Sequence, residues 1–175
     1  FIVHVSADNR YRLQVNGQRV STGPQRSDLM HWRYETLDLA PYLNTGANLL
    51  TAVVWNWGPH KPVAQFSYRS AFLMQGHTPF EAGLVNSDQS WKIWHNQAYA
   101  PLPVSGQEVG GYYAAPPGEA VDGTLYPWGW ETAAYDDTPW PNAAITEGWG
   151  AEVTRLRGTT PTGEGSKWQL VPRTI

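Results

Sequence analysis

The chain has 175 residues, of which 41% are hydrophobic and only 15% charged, with a formal net charge of −3. That length suits one domain, residues 1–175, with a sizeable core, and the hydrophobic share argues against disorder. The acidic balance without a basic stripe excludes nucleic acid, no apolar run approaches the roughly 20 residues of a membrane span, and the absence of cysteine excludes disulfides and thiolate metal sites.

Apolar residues alternate at Phe1, Val3 and Val5, and again at Tyr11, Leu13 and Val15, the period of strands with one buried face. Asn16-Gly17 supplies the positive φ angles of a two-residue hairpin turn. Between the two runs lies Ser6-Ala7-Asp8-Asn9-Arg10, a cluster of hydrogen-bonding side chains where one strand gives way to the next. Adjacent oxygen-bearing side chains on a rigid sheet rim suit a sugar hydroxyl or a hard cation. A polar loop follows over Ser21–Asp28, then a strand over His31–Asp38. Asp38 is placed to cap a short helical turn, Leu39–Leu43, which Asn44-Thr45-Gly46 ends.

Residues Asn48–Trp57 are apolar and β-branched and read as a central strand closed by Pro59 and Pro62. Val63 to Gln75 alternates again and forms the longest strand candidate. After a turn at Asn86–Ser90, Trp91, Ile93 and Trp94 open another strand, which Gln97–Leu102 continues. The stretch Pro103–Gly129, with Gly110-Gly111 and Pro116-Pro117, predicts a long loop, which in a compact domain serves function or contacts another domain. Asp136-Asp137-Thr138-Pro139-Trp140 reads as a capped turn delivering a Trp to the core, and the last strands fall near Ala144–Thr146 and Trp168–Val171. With no repeat and no helix beyond one or two turns, the pattern predicts an all-β fold, a two-sheet antiparallel β-sandwich of the jelly-roll kind.

Ten Trp and nine Tyr are many for this length. Core packing accounts for most of them, leaving one or two to face a ligand, since sugar rings stack on indoles. His4, His31, His60, His77 and His95 show no metal spacing, which argues against zinc.

Several segments together resemble a known family. Ser6-Ala-Asp-Asn-Arg-Tyr-Arg-Leu-Gln-Val-Asn-Gly17, Gly23-Pro24 and His31–Leu43 look like the β-sandwich accessory domain of bacterial α-L-rhamnosidases of glycoside hydrolase family 78. Gly46-Ala-Asn48, Val53–Gly58, Trp91-Lys92, Asp136–Trp140 and Trp168–Arg173 continue the likeness. The resemblance implies a galactose-binding-like sandwich, a bacterial enzyme that is secreted or periplasmic, and a segment cut from a larger chain whose (α/α) barrel carries catalysis. It also implies a rhamnose-binding module in which Ca²⁺ bridges protein and sugar. On that pattern Asp8 and Asn9 match the acidic and amide residues of the site, Trp32 an aromatic near the sugar, and Asn56 and the Pro62 carbonyl its far side.

Each assignment has a plainer counterpart. Asp8 and Asn9 are residue types that close turns through their own backbone bonds. One carboxylate with amides and carbonyls makes only a weak calcium site without the sugar, since calcium takes 6–8 oxygens, so the expected metal is one that the ligand completes and that binds little in the apo form. Trp32 is placed at the rim, Asn56 on the face opposite Trp55 and Trp57, and Arg26, Asp28 and Arg33 in a solvated loop. Glu131, Asp136 and Asp137 beside Trp128 and Trp130 invite a two-carboxylate glycosidase reading, but Asp136 and Asp137 sit where turn capping is expected. The expected function is therefore a non-catalytic carbohydrate-binding module for terminal L-rhamnose, with Asp8→Ala or Asn9→Ala abolishing binding and sparing the fold. The alternative is a structural accessory domain that packs its aromatic 103–130 loop against the catalytic barrel.

Overall fold

The computed structural model describes residues 1–62, 64–108, 110–111, 116–145 and 168–174. Nine strands run in chain order: β1 Ile2–Asp8, β2 Arg10–Val15, β3 Gln18–Gly23, β4 Trp32–Asp38, β5 Leu50–Trp55, β6 Ala71–Gly76, β7 Tyr99–Leu102, β8 Gly118–Val121 and β9 Leu170–Pro172. One α-helix, α1 Pro79–Val85, follows β6. A four-stranded sheet has the order β6-β1-β4-β9, a three-stranded sheet β3-β2-β5, and β7 and β8 form a separate hairpin. The fold is an all-β sandwich. Its pairings are antiparallel except β4 with β9, which runs parallel from Trp32↔Leu170 to Tyr34↔Pro172.

The alternation at the start of the chain builds the core. Val3, Val5 and Ala7 from β1 meet Tyr11, Leu13 and Val15 from β2, and Leu39, Met74 and Val85 complete the buried cluster. Asn16 and Gly17 take φ of 51° and 76°, the hairpin turn the sequence predicts. Asp38 Oδ1 accepts from Ala40 N at 2.9 Å at the start of the 3₁₀ turn Ala40–Tyr42, whose N-cap is Leu39 and not Asp38. Thr78 and Glu81 form a reciprocal capping box on α1, and Glu81 Oε1 also accepts from Ile2 N at 2.5 Å, tying the helix to β1.

Several elements depart from the sequence reading. β5 lies at the edge of its sheet, with β2 at the centre. Of the strand expected over Val63–Gln75, only the end from Ala71 pairs. Trp91, Ile93 and Trp94 contribute a single bridge, Lys92↔Asn142, and the expected long loop contains β8. The strand expected near Ala144–Thr146 is absent at Ala144 and Ile145, and Thr146 lies outside the described residues. Among the nine described Trp only Trp32 is buried. Trp140 joins a satellite cluster, stacked on Trp94 at 5.9 Å and flanked by Trp130 and Tyr135, rather than entering the core. Among the described residues no helix is long and apolar enough to cross a membrane.

On the outer face of β1, His4 Nε2 lies 3.1 Å from His77 Nδ1, and His4 Nδ1 lies 3.0 Å from Thr36 Oγ1. Burial lowers the His4 pKa from 6.5, the neighbouring His77 lowers it further, and Glu81 partly opposes both. The folded chain therefore binds this proton less well than the unfolded chain. Stability is expected to be complete above pH 6.5 and to fall as pH drops below it. Thermal melts between pH 7.5 and pH 5.5 should show that slope, which His4→Gln should flatten.

Candidate functional site

The chain changes sheets at Asp8-Asn9. β1 pairs with β6 as far as Asp8↔Ala71, and β2 starts its pairing with β5 at Arg10↔Trp55. The corner between the sheets is thus closed by the segment joining β5 to β6, residues 56–70. Asn9 N donates to Trp55 O at 3.2 Å and holds that segment at its root.

Asp8 is the hub of this corner and is only 1% exposed. Its Oδ1 accepts from Asn9 Nδ2 at 2.7 Å, Asn56 Nδ2 at 3.0 Å and Ser67 Oγ at 2.7 Å. Its Oδ2 accepts from Tyr68 N at 2.6 Å, Arg69 N at 3.2 Å and Trp168 Nε1 at 3.1 Å. Burial pushes the Asp8 carboxyl above its ordinary 3.8, and the donors Ser67, Trp168, Arg69 and Asn9 pull it back. The six donors favour the charged form of Asp8, against the burial that opposes it.

The structure brings Asp8, Asn9 and Asn56 together, as the sequence suggests, but in the service of the fold. Asn9 turns its Oδ1 to Trp57 N at 3.1 Å, and Asn56 turns its Oδ1 to Gly58 N at 2.7 Å. Both amides therefore present nitrogen to the carboxylate and oxygen away from it. The Pro62 carbonyl accepts from Gln65 N at 2.9 Å. Among the described residues near this corner, the buried oxygen without a partner is Gln65 Oε1. Calcium takes 6–8 converging oxygens, with carboxylate as the anchor. Here the one carboxylate is saturated with donors and the amide oxygens diverge, so the residues as arranged do not fit the ion. Nor, among the described residues, do three or more His, Cys, Asp or Glu form a group that could hold a metal ion.

Trp32 is not at the rim. It lies 3% exposed beneath the corner, its Nε1 donating to Ala7 O at 3.3 Å, and it offers no ring face to a sugar. The displacement has a local cause. Asp28 caps the 3₁₀ turn Leu29–His31, accepting from Met30 N and His31 N, and Trp32 leaves that turn to pair with β9, its N donating to Gln169 O at 2.8 Å. Asp28 is thereby an N-cap. Asp136 likewise accepts from Thr138 N at 3.1 Å, the turn-capping role the sequence gives it.

The sequence reading missed residues 67–69. An open pocket of ≈ 250 Å³ lies outside Asp8, walled by Asn56, Lys61, Ser67, Tyr68, Arg69 and Ser70. Its inner wall is the set of groups that Asp8 fixes. The alternation through Gln65–Arg69 reads as a strand, but Tyr68 and Arg69 lie at a bend and their amides bond a carboxylate and not a strand.

The motif at the chain's other end also finds its place here. Leu170-Val171-Pro172 is β9, and Arg173 Nη1 reaches the buried Glu35 Oε2 at 3.2 Å.

Compared with known families, residues 2–161 match the model of the α-L-rhamnosidase N-terminal domain. Among solved structures, a GH78-family rhamnosidase of Bacillus sp. GL1 matches with a TM-score of 0.71 and 23% identity over 98% of this chain. The likeness is one of fold, and the chain spans 16% of that enzyme's length. No curated protein matches the sequence.

Proposed function

Because the chain belongs to the α-L-rhamnosidase N-terminal domain family, we propose that it serves as a non-catalytic carbohydrate-binding domain, receiving terminal L-rhamnose in the pocket outside Asp8 and holding an α-L-rhamnosidase on its glycan. The observation that carries this reading is the construction of the pocket wall. Asn56, Ser67, Tyr68 and Arg69 are each bonded to one buried carboxylate through side chain or backbone. A wall fixed before the ligand arrives loses little entropy on binding. Ser70 contributes a hydroxyl to that wall. The bridging Ca²⁺ implied by the resemblance is not part of this proposal, since Asp8 has no free lone pair to offer it. Raising the local substrate concentration is the gain such a domain brings to an enzyme.

Calorimetric titration of L-rhamnose into the chain, with Ca²⁺ and again with EDTA, tests the proposal. Binding of equal strength in both is the expected result. Absence of heat in both would overturn sugar binding, and heat that vanishes with EDTA would overturn the reading of Asp8 as saturated.

A separate observation favours a second role. Ile93, Trp94, Tyr99, Val121, Leu125 and Trp128 all expose apolar side chains, Trp128 to 73%. Tyr126 lies 4.7 Å from the Trp128 ring, and the Trp128 indole is fixed by its bond to Gly123 O at 2.8 Å. A rigid apolar face of this kind suits packing against the catalytic barrel of a larger enzyme. Tyr112 and Tyr113, expected to take part, lie outside the described residues.

A further inference from the structure

The pocket outside Asp8 carries more positive charge than a neutral sugar requires. The chain's net charge is −3, yet no Asp or Glu occurs between Asp38 and Glu81, the stretch that supplies every residue of the pocket wall. That stretch places Lys61 and Arg69 on the wall, both exposed. Asp8 lies behind them, but its oxygens are consumed by six donors and it is sealed from the pocket. Among the described residues neither Lys61 nor Arg69 has a carboxylate partner.

Arg69 is also held in position. Its Nη2 lies 3.4 Å from Tyr68 Oη, and its Cζ stands 5.4 Å from the centroid of the Tyr68 ring. Tyr68 packs edge-on against Trp168 at 5.6 Å, and Trp168 donates to Asp8. The Arg69 backbone is bonded to the same carboxylate at 3.2 Å. A guanidinium placed in this way is a fork suited to a planar carboxylate, and the ammonium of Lys61 on the same wall adds a point charge.

We propose that this pocket selects an acidic glycan, with Arg69 and Lys61 binding the carboxylate of a uronic acid residue that adjoins the rhamnose. The proposal rests on the carbohydrate-binding reading of the same pocket. Its ligand is distinguished from a neutral rhamnoside by one functional group, which makes the test direct.

A disaccharide of L-rhamnose bonded to a uronic acid, and the same disaccharide with its carboxyl reduced to an alcohol, are titrated into the chain at low and high salt. The acidic form is expected to bind about tenfold more tightly, the worth of a charge-assisted hydrogen bond. Salt should shrink the difference. Lys61→Gln with Arg69→Gln should bring the two affinities together, with an unchanged melting temperature showing that the fold persists. Equal affinity of the two forms for the unaltered chain would overturn the acidic preference and leave sugar binding standing. Failure of both to bind would overturn the preference together with the reading beneath it. Inorganic phosphate is the third probe, and binding as tight as that of the acidic disaccharide would reduce the pocket to a simple anion site.

Discussion

Asp8→Ala is expected to unfold a large part of this domain's stability rather than to remove a ligand contact. The substitution strands six donors that now converge on one carboxylate: three side-chain groups on Oδ1, and two backbone amides with the Trp168 indole on Oδ2. A buried donor left without its partner costs about 1–3 kcal/mol, so several together should lower the melting temperature by roughly 10 °C for a chain of this size. Asp8→Asn should do little better, because its new NH₂ would face three donors on one side. Asp28→Ala is the control, an exposed cap whose removal costs about 1 kcal/mol. Melts of the three variants check the ordering, and a loss for Asp8→Ala no larger than that for Asp28→Ala would dismiss the hub. The six bonds at Asp8 argue against the expectation that Asp8→Ala spares the fold. Lost binding in that variant would report a collapsed wall, so the pocket is better probed at Lys61, Arg69 and Ser70, whose side chains point away from the hub.

The parts of this fold that were legible in the sequence are those decided within a few residues. Asn16-Gly17 fixes its own turn by positive φ, and the alternation from Phe1 to Val15 sorts core from surface without reference to anything distant. Asp8-Asn9 was legible as a special place because two polar residues interrupt two apolar runs. What Asp8 does there was not, since every partner but the adjacent Asn9 lies 48 to 160 residues away. The same distance explains why only residues 71–75 of the strand expected over Val63–Gln75 pair. Ser67, Tyr68 and Arg69 have the extended pattern of a strand, but the bonds that hold them run to a side chain, and ladder pairing begins only at Ala71. Trp32 was misplaced for a related reason. Strand alternation from Arg33 onward says nothing of a residue that leaves a 3₁₀ turn and pairs with β9 across the far end of the chain. The surplus of Trp likewise reads as core by hydrophobicity alone, whereas here it builds a second, exposed cluster around Trp140 and Trp128.

Gly76→Ala is expected to be the second most damaging substitution, and the reason is close approach. β6 ends at Gly76 directly under the first turn of α1, and a Cβ there would fall on Ala82 N and on the carbonyl carbon of Glu81. Those obstructions are backbone, so no rotamer change relieves them, and the helix must lift from the sheet. Lifting α1 also pulls Glu81 from Ile2 N and Val85 from the core cluster, and it loosens the bond from Gly76 N to Asn86 Oδ1 at 2.9 Å. Overpacking of this kind costs about 3 kcal/mol, a drop of roughly 10 °C. Gly83→Ala in the same helix should behave oppositely. Nothing lies within 4 Å of a Cβ at that position, and replacing a helical Gly by Ala stabilises by about 0.5–1 kcal/mol. The pair separates helix propensity from helix docking within seven residues of chain. Equal melting temperatures for the two variants would mean that α1 does not press on β6, and the contact that aligns β6 with β1 up to the Asp8 corner would have to be sought elsewhere.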